Sequence, residues 1–282
     1  MTRASIQVER PHRLLPVWAL VLATLLVGCI GEEREQQLGD ELAAELNLSL
    51  PLVSDDAVLF HIAEVGSRIV EVSDRPEQEY TFYLVNSDIV NAFSLPGGHI
   101  YLTRALLERT ESAAELAGVI AHEVAHVAAR HGVRRLEREM RSGSLITAMY
   151  EIFLGGEPAL LDNPAVRLSE QLGSGLHSRS DEREADRHAV RYLVQAGYSP
   201  EAYISFLQTI AEDDEDAPAA AEWFSTHPST DSRIALAREK IETLEGAVDK
   251  ERAGSQDDRA AHRAFLVRLS LLPEPLTFSH GR

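Results

Sequence analysis

The chain has 282 residues, enough for one large domain or two small ones, and a hydrophobic content of 44% supplies material for a core. Forty-five acidic residues against 27 basic ones leave a formal net charge of −18, which excludes a nucleic-acid binder that tracks phosphates and fits a solvated surface. The single cysteine excludes an intramolecular disulfide.

The N-terminus reads as a targeting segment. MTRASIQVERPHR carries Arg3, Arg10 and Arg13, and LLPVWALVLATLLVGC then runs apolar up to Cys29, too short for a comfortable membrane span. Leu26-Val27-Gly28-Cys29 resembles a bacterial lipoprotein cleavage box, in which the cysteine thiol is lipidated; an uncleaved anchor helix with a chance cysteine is the alternative. Cleavage before Cys29 removes three arginines and Glu9, taking the net charge to about −20. Several acyl chains on one cysteine hold a protein stably at a bilayer where a single chain does not. Ile30 rather than aspartate follows Cys29. By resemblance to lipoprotein sorting in Gram-negative bacteria, this implies an outer-membrane lipoprotein of the bacterial cell envelope, facing the periplasm.

Residues 31–50 read as a polar tether running into a short amphipathic helix, with Pro51 as a boundary. Val58, Ile62, Val65, Ile69 and Val72 recur at helical spacing, and His61 reads as a partly exposed residue of that helix. YTFYLVNS (80–87) and DIVNAFSLPGGHIYLT (88–103) are strand-like; Pro96-Gly97-Gly98 is a turn, and HIYLT suits a strand at a sheet edge. From Thr110 the period changes: Ser112 and Glu115 fit a capping box, and the following segment reads as one long helix through Met140. Residues 143–176 leave a helical hairpin, a lid or a membrane-touching patch open. Residues 178–197 form a second helix stopped by Gly197, Ser199-Pro200 opens the next, and EDDEDAP (212–218) is a solvated acidic loop. A charged helix follows STHPSTDSRI and ends near residue 245; the apolar AFLVRLSLL of the tail carries no readable role.

HEVAHVAARH (122–131) carries the chemistry. His122 and His126 lie four apart, about 40° apart around a helix axis, so two imidazoles can hold one zinc ion. Glu123 stands beside them, free to take a proton from an activated water. His131 falls five after His126 with no glycine between them, and on a continuing helix points about 140° away. It is therefore rejected as the third ligand and read as a supporting or surface histidine. DEREAD (181–186) sets Glu182 and Asp186 on one helical face. Two readings stand: a solvent-facing acidic stripe, or a third ligand from Glu182 with Asp186 fixing the tautomer of a ligand histidine.

HEVAHVAARH, SRSDEREADRHA, STHPSTDSRI and the preceding NAFSLPGGHIYLT, in that order over roughly residues 55–245, resemble the HtpX/BepA/LoiP-like zinc metallopeptidases, relatives of the CAAX prenyl proteases. The resemblance implies an α+β, mainly helical gluzincin-like domain with a small, mostly antiparallel sheet whose edge strand borders the active-site helix. It implies one zinc ion on His122, His126 and Glu182, with Glu123 as the base. Gly98, His99, Ile100 and Tyr101 would lie on the edge strand that pairs with an extended substrate. His227 would stabilise the oxyanion or occupy the open metal position at rest, and Arg233 would order that loop or contact the oxyanion side.

Ala105 departs from the family's frequent glycine. The chain has no room after the last motif for tetratricopeptide repeats and lacks multiple membrane spans, which implies the compact lipoprotein type. The expected division is a signal peptide (1–28), a lipidated tether (29–50), the peptidase domain (51–246) and a C-terminal extension (247–282). The expected activity is endopeptidase cleavage of unfolded or misassembled envelope proteins, with envelope assembly machinery as a further partner. The rival is a lipid-anchored chaperone or assembly factor whose zinc site is latched.

Overall fold

The computed structural model describes residues 30–141, 177–216, 223, 226–227, 230–244 and 256–276. The leader with Cys29 and the segment 143–176 lie outside the described residues, while residues 212–216 of the expected acidic loop are helical instead.

Two helices open the described chain, α1 (Glu32–Ser49) and α2 (Asp56–Val70). Asp55 caps α2, its carboxylate accepting from the backbone of Ala57 and Val58. Val58, Ile62, Val65 and Ile69 form its buried face, as their spacing predicts. α1 corrects the tether reading, because the chain is helical from Glu32 and docks on the 96–98 turn. Its Glu35 is buried between Arg75, at 3.2 Å, and Arg130, at 2.8 Å. His61 is likewise buried rather than partly exposed, because the C-terminal helix covers it.

Strands β1 (Thr81–Val85), β2 (Ala92–Leu95) and β3 (His99–Thr103) form one sheet in the order β1-β3-β2. β2 and β3 make an antiparallel hairpin across Pro96–Gly98, while β1 joins β3 in parallel, so the sheet is mixed rather than mostly antiparallel. Gly98 has φ 91°, and an added Cβ would stand 2.0 Å from the Glu79 carbonyl oxygen, so only glycine fits this turn.

The order corrects the strand assigned to substrate. His99, Ile100 and Tyr101 lie on the central strand, hydrogen-bonded on both sides, and Gly98 lies in the turn. The side chains of His99 and Tyr101 face α1, bonding Asp40 at 3.0 Å and Asn47 at 2.9 Å. On that face Tyr101 stacks between Tyr83 and Phe93, with ring centroids 4.5 and 4.8 Å away. The strand beside the helix that carries HEVAH is β2.

A one-turn helix α3 (Arg104–Leu107) leads to α4 (Ala113–Ala128), which crosses the centre of the molecule. Ser112 caps α4 by accepting from the Glu115 amide, while Glu115 reaches back to the amide of Glu111 rather than to the cap itself. Ile120 and Val124 are fully buried, contributing about 1.5–3 kcal/mol each.

The expected long helix breaks at Ala129–Arg130. Arg130 adopts φ 57°, and a separate helix, α5 (His131–Arg141), starts in a new direction. α6 (Arg179–Ala196) packs closely on α4, held at its start by a reciprocal Ser178–Asp181 capping box and ended by left-handed Gly197. α7 (Glu201–Asp216) and α8 (Thr230–Leu244) complete the shell around α4 and α6. α9 (Gln256–Ser270) buries Phe265 and Leu269 in the same core, so the apolar tail segment is part of the domain's packing.

Candidate metal centre

The site forms where α4, α6 and the segment before α8 meet below β2. His122 and His126 project from successive turns of α4, their Nε2 atoms 3.0 Å apart. Glu182, in the first turn of α6, brings Oε2 to 3.4 Å from His122 Nε2 and Oε1 to 3.3 Å from His126 Nε2. His227 closes the group, with Nδ1 3.2 Å from both His122 Nε2 and Glu182 Oε2. Ligand atoms of these four residues all lie within 4.8 Å of one another, and all four side chains are buried.

Three imidazoles and a carboxylate in this space form a donor set that could hold a transition-metal ion. Among the described residues no hydrogen bond reaches buried Glu182 Oε1, which a cation would satisfy. Glu123 is fully buried and neither of its oxygens accepts a hydrogen bond among the described residues; its Oε1 lies 3.5 Å from His227 Nε2. The residues therefore fit the metal and leave one carboxylate beside it uncommitted.

Asp186 and Arg233 build the floor. Asp186 Oδ1 lies 3.2 Å from His122 Nδ1, so His122 presents its other nitrogen to the cluster. The Arg233 guanidinium donates to Asp186 at 2.8 and 2.9 Å, approaches Glu182 at 3.2 Å, and reaches the His227 carbonyl at 3.3 Å. Arg233 thus joins Asp186 and Glu182 to the main chain at His227.

Burial by itself would raise both carboxyls. Glu182 is instead held well below the ordinary carboxylate range by the charges of His227, Arg233 and His126. Asp186 is held below it by the Arg233 charge and a hydrogen bond from His122. Burial and Arg233 act to lower His122, but hydrogen bonds to Asp186 and Glu182 and the Glu182 charge raise it to about 9. Burial and the neighbouring His177 hold His126 well below the ordinary imidazole value. A metal that took up this pair would displace a proton from His122 and find His126 already neutral.

Several neighbours were not singled out by the sequence. The Tyr203 hydroxyl donates to Asp186 at 2.7 Å and lies 3.1 Å from His122 Nδ1. Trp223 stacks on His227 at 4.4 Å, and His177 packs on His126 at 3.8 Å. Thr226 bonds the side chain of Asn91, tying the His227 segment to the start of β2. The Tyr203 signal was its helical phase on α7; nothing in the chain marked His177. His131, expected as a supporting or surface histidine, is buried against His126.

Among the described residues no strand pairs with the outer edge of β2, which faces this cluster. Asn91 pairs with Thr103 through main-chain hydrogen bonding to β3, so alternation turns the N–H and C=O groups of Ala92 and Ser94 outward. The Ala92 carbonyl lies 3.3 Å from His227 Nε2.

Residues 60–241 match the family model described as Peptidase family M48. The chain is 30% identical over 238 residues to the beta-barrel assembly-enhancing protease of Yersinia pestis, covering 82% of this chain and 49% of that protein. It is 31% identical over 230 residues to the protein of the same name from Escherichia coli, covering 79% and 46%. It is also 33% identical over 153 residues to the mitochondrial metalloendopeptidase OMA1 of Arabidopsis thaliana, covering 54% and 30%. The chain thus spans about half the length of the assembly-enhancing proteases it matches. Among the described residues no helix is long and apolar enough to cross a membrane.

Proposed function

The chain belongs to peptidase family M48, and from that premise we propose that it is a zinc-dependent endopeptidase cutting extended segments of unfolded polypeptide. The observation that carries this reading is the meeting of His122, His126, Glu182 and His227 within 4.8 Å beside the uncommitted carboxylate of Glu123. His122, His126 and Glu182 hold one zinc ion. When bound, the ion supplies Lewis acidity toward a substrate carbonyl and a water molecule.

This chain's own residues do the rest. Ala92 and Ser94 on the free edge of β2 pair with the substrate main chain, which orients the scissile bond without reading its side chains. Glu123 accepts a proton from the attacking water and passes it to the leaving amine nitrogen as the C–N bond breaks. Asp186 and Tyr203 hold His122 in one tautomer and orientation. His227 latches the resting site. Its Nε2 donates to the Ala92 carbonyl while Nδ1 faces the metal corner, so substrate entry requires it to leave.

We further assign residues 1–28 as a signal peptide and Cys29 as the lipidated residue, on the cleavage-box resemblance. The domain is then tethered at the outer membrane and faces the periplasm. Its clients are unfolded or misassembled envelope proteins, a reading supported by likeness to proteases named for beta-barrel assembly. The test is cleavage of an unfolded protein by the zinc-loaded full chain in detergent, beside Glu123→Gln. Cleavage by the wild type alone is expected. If neither cuts while both bind zinc and the unfolded chain, the endopeptidase reading falls and a chaperone takes its place.

A further inference from the structure

His122 and His126 need equal orientation if both are to hold a metal, yet only His122 has a carboxylate on its far nitrogen, Asp186 at 3.2 Å. Behind His126 stands another histidine. His131 Nδ1 lies 2.8 Å from His126 Nδ1, and His131 Nε2 lies 3.2 Å from Glu184 Oε2. With His131 neutral, one proton arrangement satisfies both contacts. Glu184, a carboxylate, accepts from His131 Nε2–H; His131 Nδ1 then has only its lone pair and accepts from His126 Nδ1–H. His126 is left with a bare Nε2, the nitrogen that faces His122 and Glu182.

The backbone explains how His131 gets there. On an unbroken helix it would point away; left-handed Arg130 (φ 57°) turns the chain, and α5 starts with the ring of His131 against that of His126. Positive φ is unfavourable for arginine, and the conformation is held from outside. Arg130 Nε donates to the buried Glu35 of α1 at 2.8 Å, and its Nη2 donates to the Ile30 carbonyl. Arg134 fixes the other end, donating to Glu184 at 2.8 Å.

We infer that His131, backed by Glu184, is a positioning residue that fixes the tautomer and orientation of His126, and that the Glu35–Arg130 clamp places it there. The inference rests on the reading of His126 as a metal ligand. It also makes the N-terminal helix, which packs outside the catalytic core, part of the scaffold of the site.

The test compares metal binding by the full chain in detergent for wild type, His131→Leu, His131→Gln, Arg130→Val and Arg130→Gly. The measurements are zinc competition with a chromogenic chelator, the visible spectrum of the cobalt-substituted protein, and a thermal melt of the metal-free protein. Expected for His131→Leu is a loss of about 10–100-fold in zinc affinity with an altered cobalt spectrum and an unchanged metal-free melt. Glutamine, whose amide oxygen can still accept from His126, recovers part of that loss. Arg130→Gly, which adopts the left-handed backbone freely, retains more affinity than Arg130→Val.

Wild-type affinity and spectrum in His131→Leu, or identical behaviour of the leucine and glutamine variants, overturns the inference and leaves the metal centre standing. Binding of two zinc ions by the wild type, with one lost in His131→Leu, also overturns it, making His131 a ligand with His126 and His177. A wild type that binds no zinc removes the metal centre itself, and this inference with it.

Discussion

His227 Nε2 donates to the main-chain carbonyl of Ala92 at 3.3 Å, so one imidazole closes both the free edge of β2 and the fourth corner of the metal cluster. An extended peptide paired with β2 as proposed would need that same carbonyl. The two proposed roles of His227 therefore part experimentally. In a Glu123→Gln background, which holds substrate uncut, adding His227→Ala should tighten binding of an unstructured peptide several-fold if the residue is a latch. An oxyanion role instead leaves that binding unchanged and lowers kcat of the single His227→Ala variant by about 10²–10³-fold. Fluorescence anisotropy and steady-state kinetics read the two.

Glu123 is buried beside His122, His126 and Glu182, and among the described residues its carboxylate accepts no hydrogen bond. Glu123→Gln should keep one zinc per chain and lower kcat by at least about 10²–10⁴-fold, the range for losing a general base. Metal content measured on the same sample separates this from Glu182→Gln, which should lose zinc affinity along with activity.

Arg233 is 1% exposed and stands between two buried carboxylates. Arg233→Met fills much of its volume but leaves only His122 to balance the buried charges of Glu182 and Asp186, so urea denaturation of the metal-free protein should show a loss of about 3–5 kcal/mol. Tyr203→Phe removes one buried hydroxyl from the same network and should cost about 1–2 kcal/mol.

The His61–His262 pair joins α2 to α9 and makes stability depend on pH. His262 Nε2–H faces the Thr110 carbonyl at 3.3 Å and its Nδ1 faces His61 Nε2 at 3.3 Å, so the folded protein holds His262 neutral. Burial and the His61 charge together lower it to about 4, against the Thr110 hydrogen bond, which raises it. Between about pH 6.5 and 4 the unfolded chain then binds a proton that the folded chain refuses, so stability is full above that window and falls as pH drops through it, by at most about 3 kcal/mol. His262→Gln should flatten this segment of the stability–pH curve, measured on metal-free protein so that metal release does not contribute.

Much of the centre is legible in the chain because it depends on local periodicity. Four-residue spacing puts His122 beside His126 and Glu182 on the same face as Asp186 whatever the helices pack against. Ser178, Asp181 and Gly197 mark the limits of α6 by chemistry that acts within a turn. The order of the four motifs carries the family membership for the same reason: it is a property of the string.

Strand order and helix breaks are not local. HIYLT alternates as an edge strand would, but pairing on both sides makes it central, and only the neighbours β1 and β2 decide that. The turn at Arg130 contains no glycine, proline or asparagine; its left-handed backbone is stabilised by Glu35, 95 residues earlier. For the same reason His131, read as a supporting or surface histidine, stands behind His126, and His61, read as partly exposed, is buried at the interface with α9. The sequence by itself determined which donors share a helix face and which helices begin where, since those follow from 3.6 residues per turn and capping within one turn. Which strand edge stays open and what stands behind each ligand were decided by packing, because each depends on a residue far away in the chain.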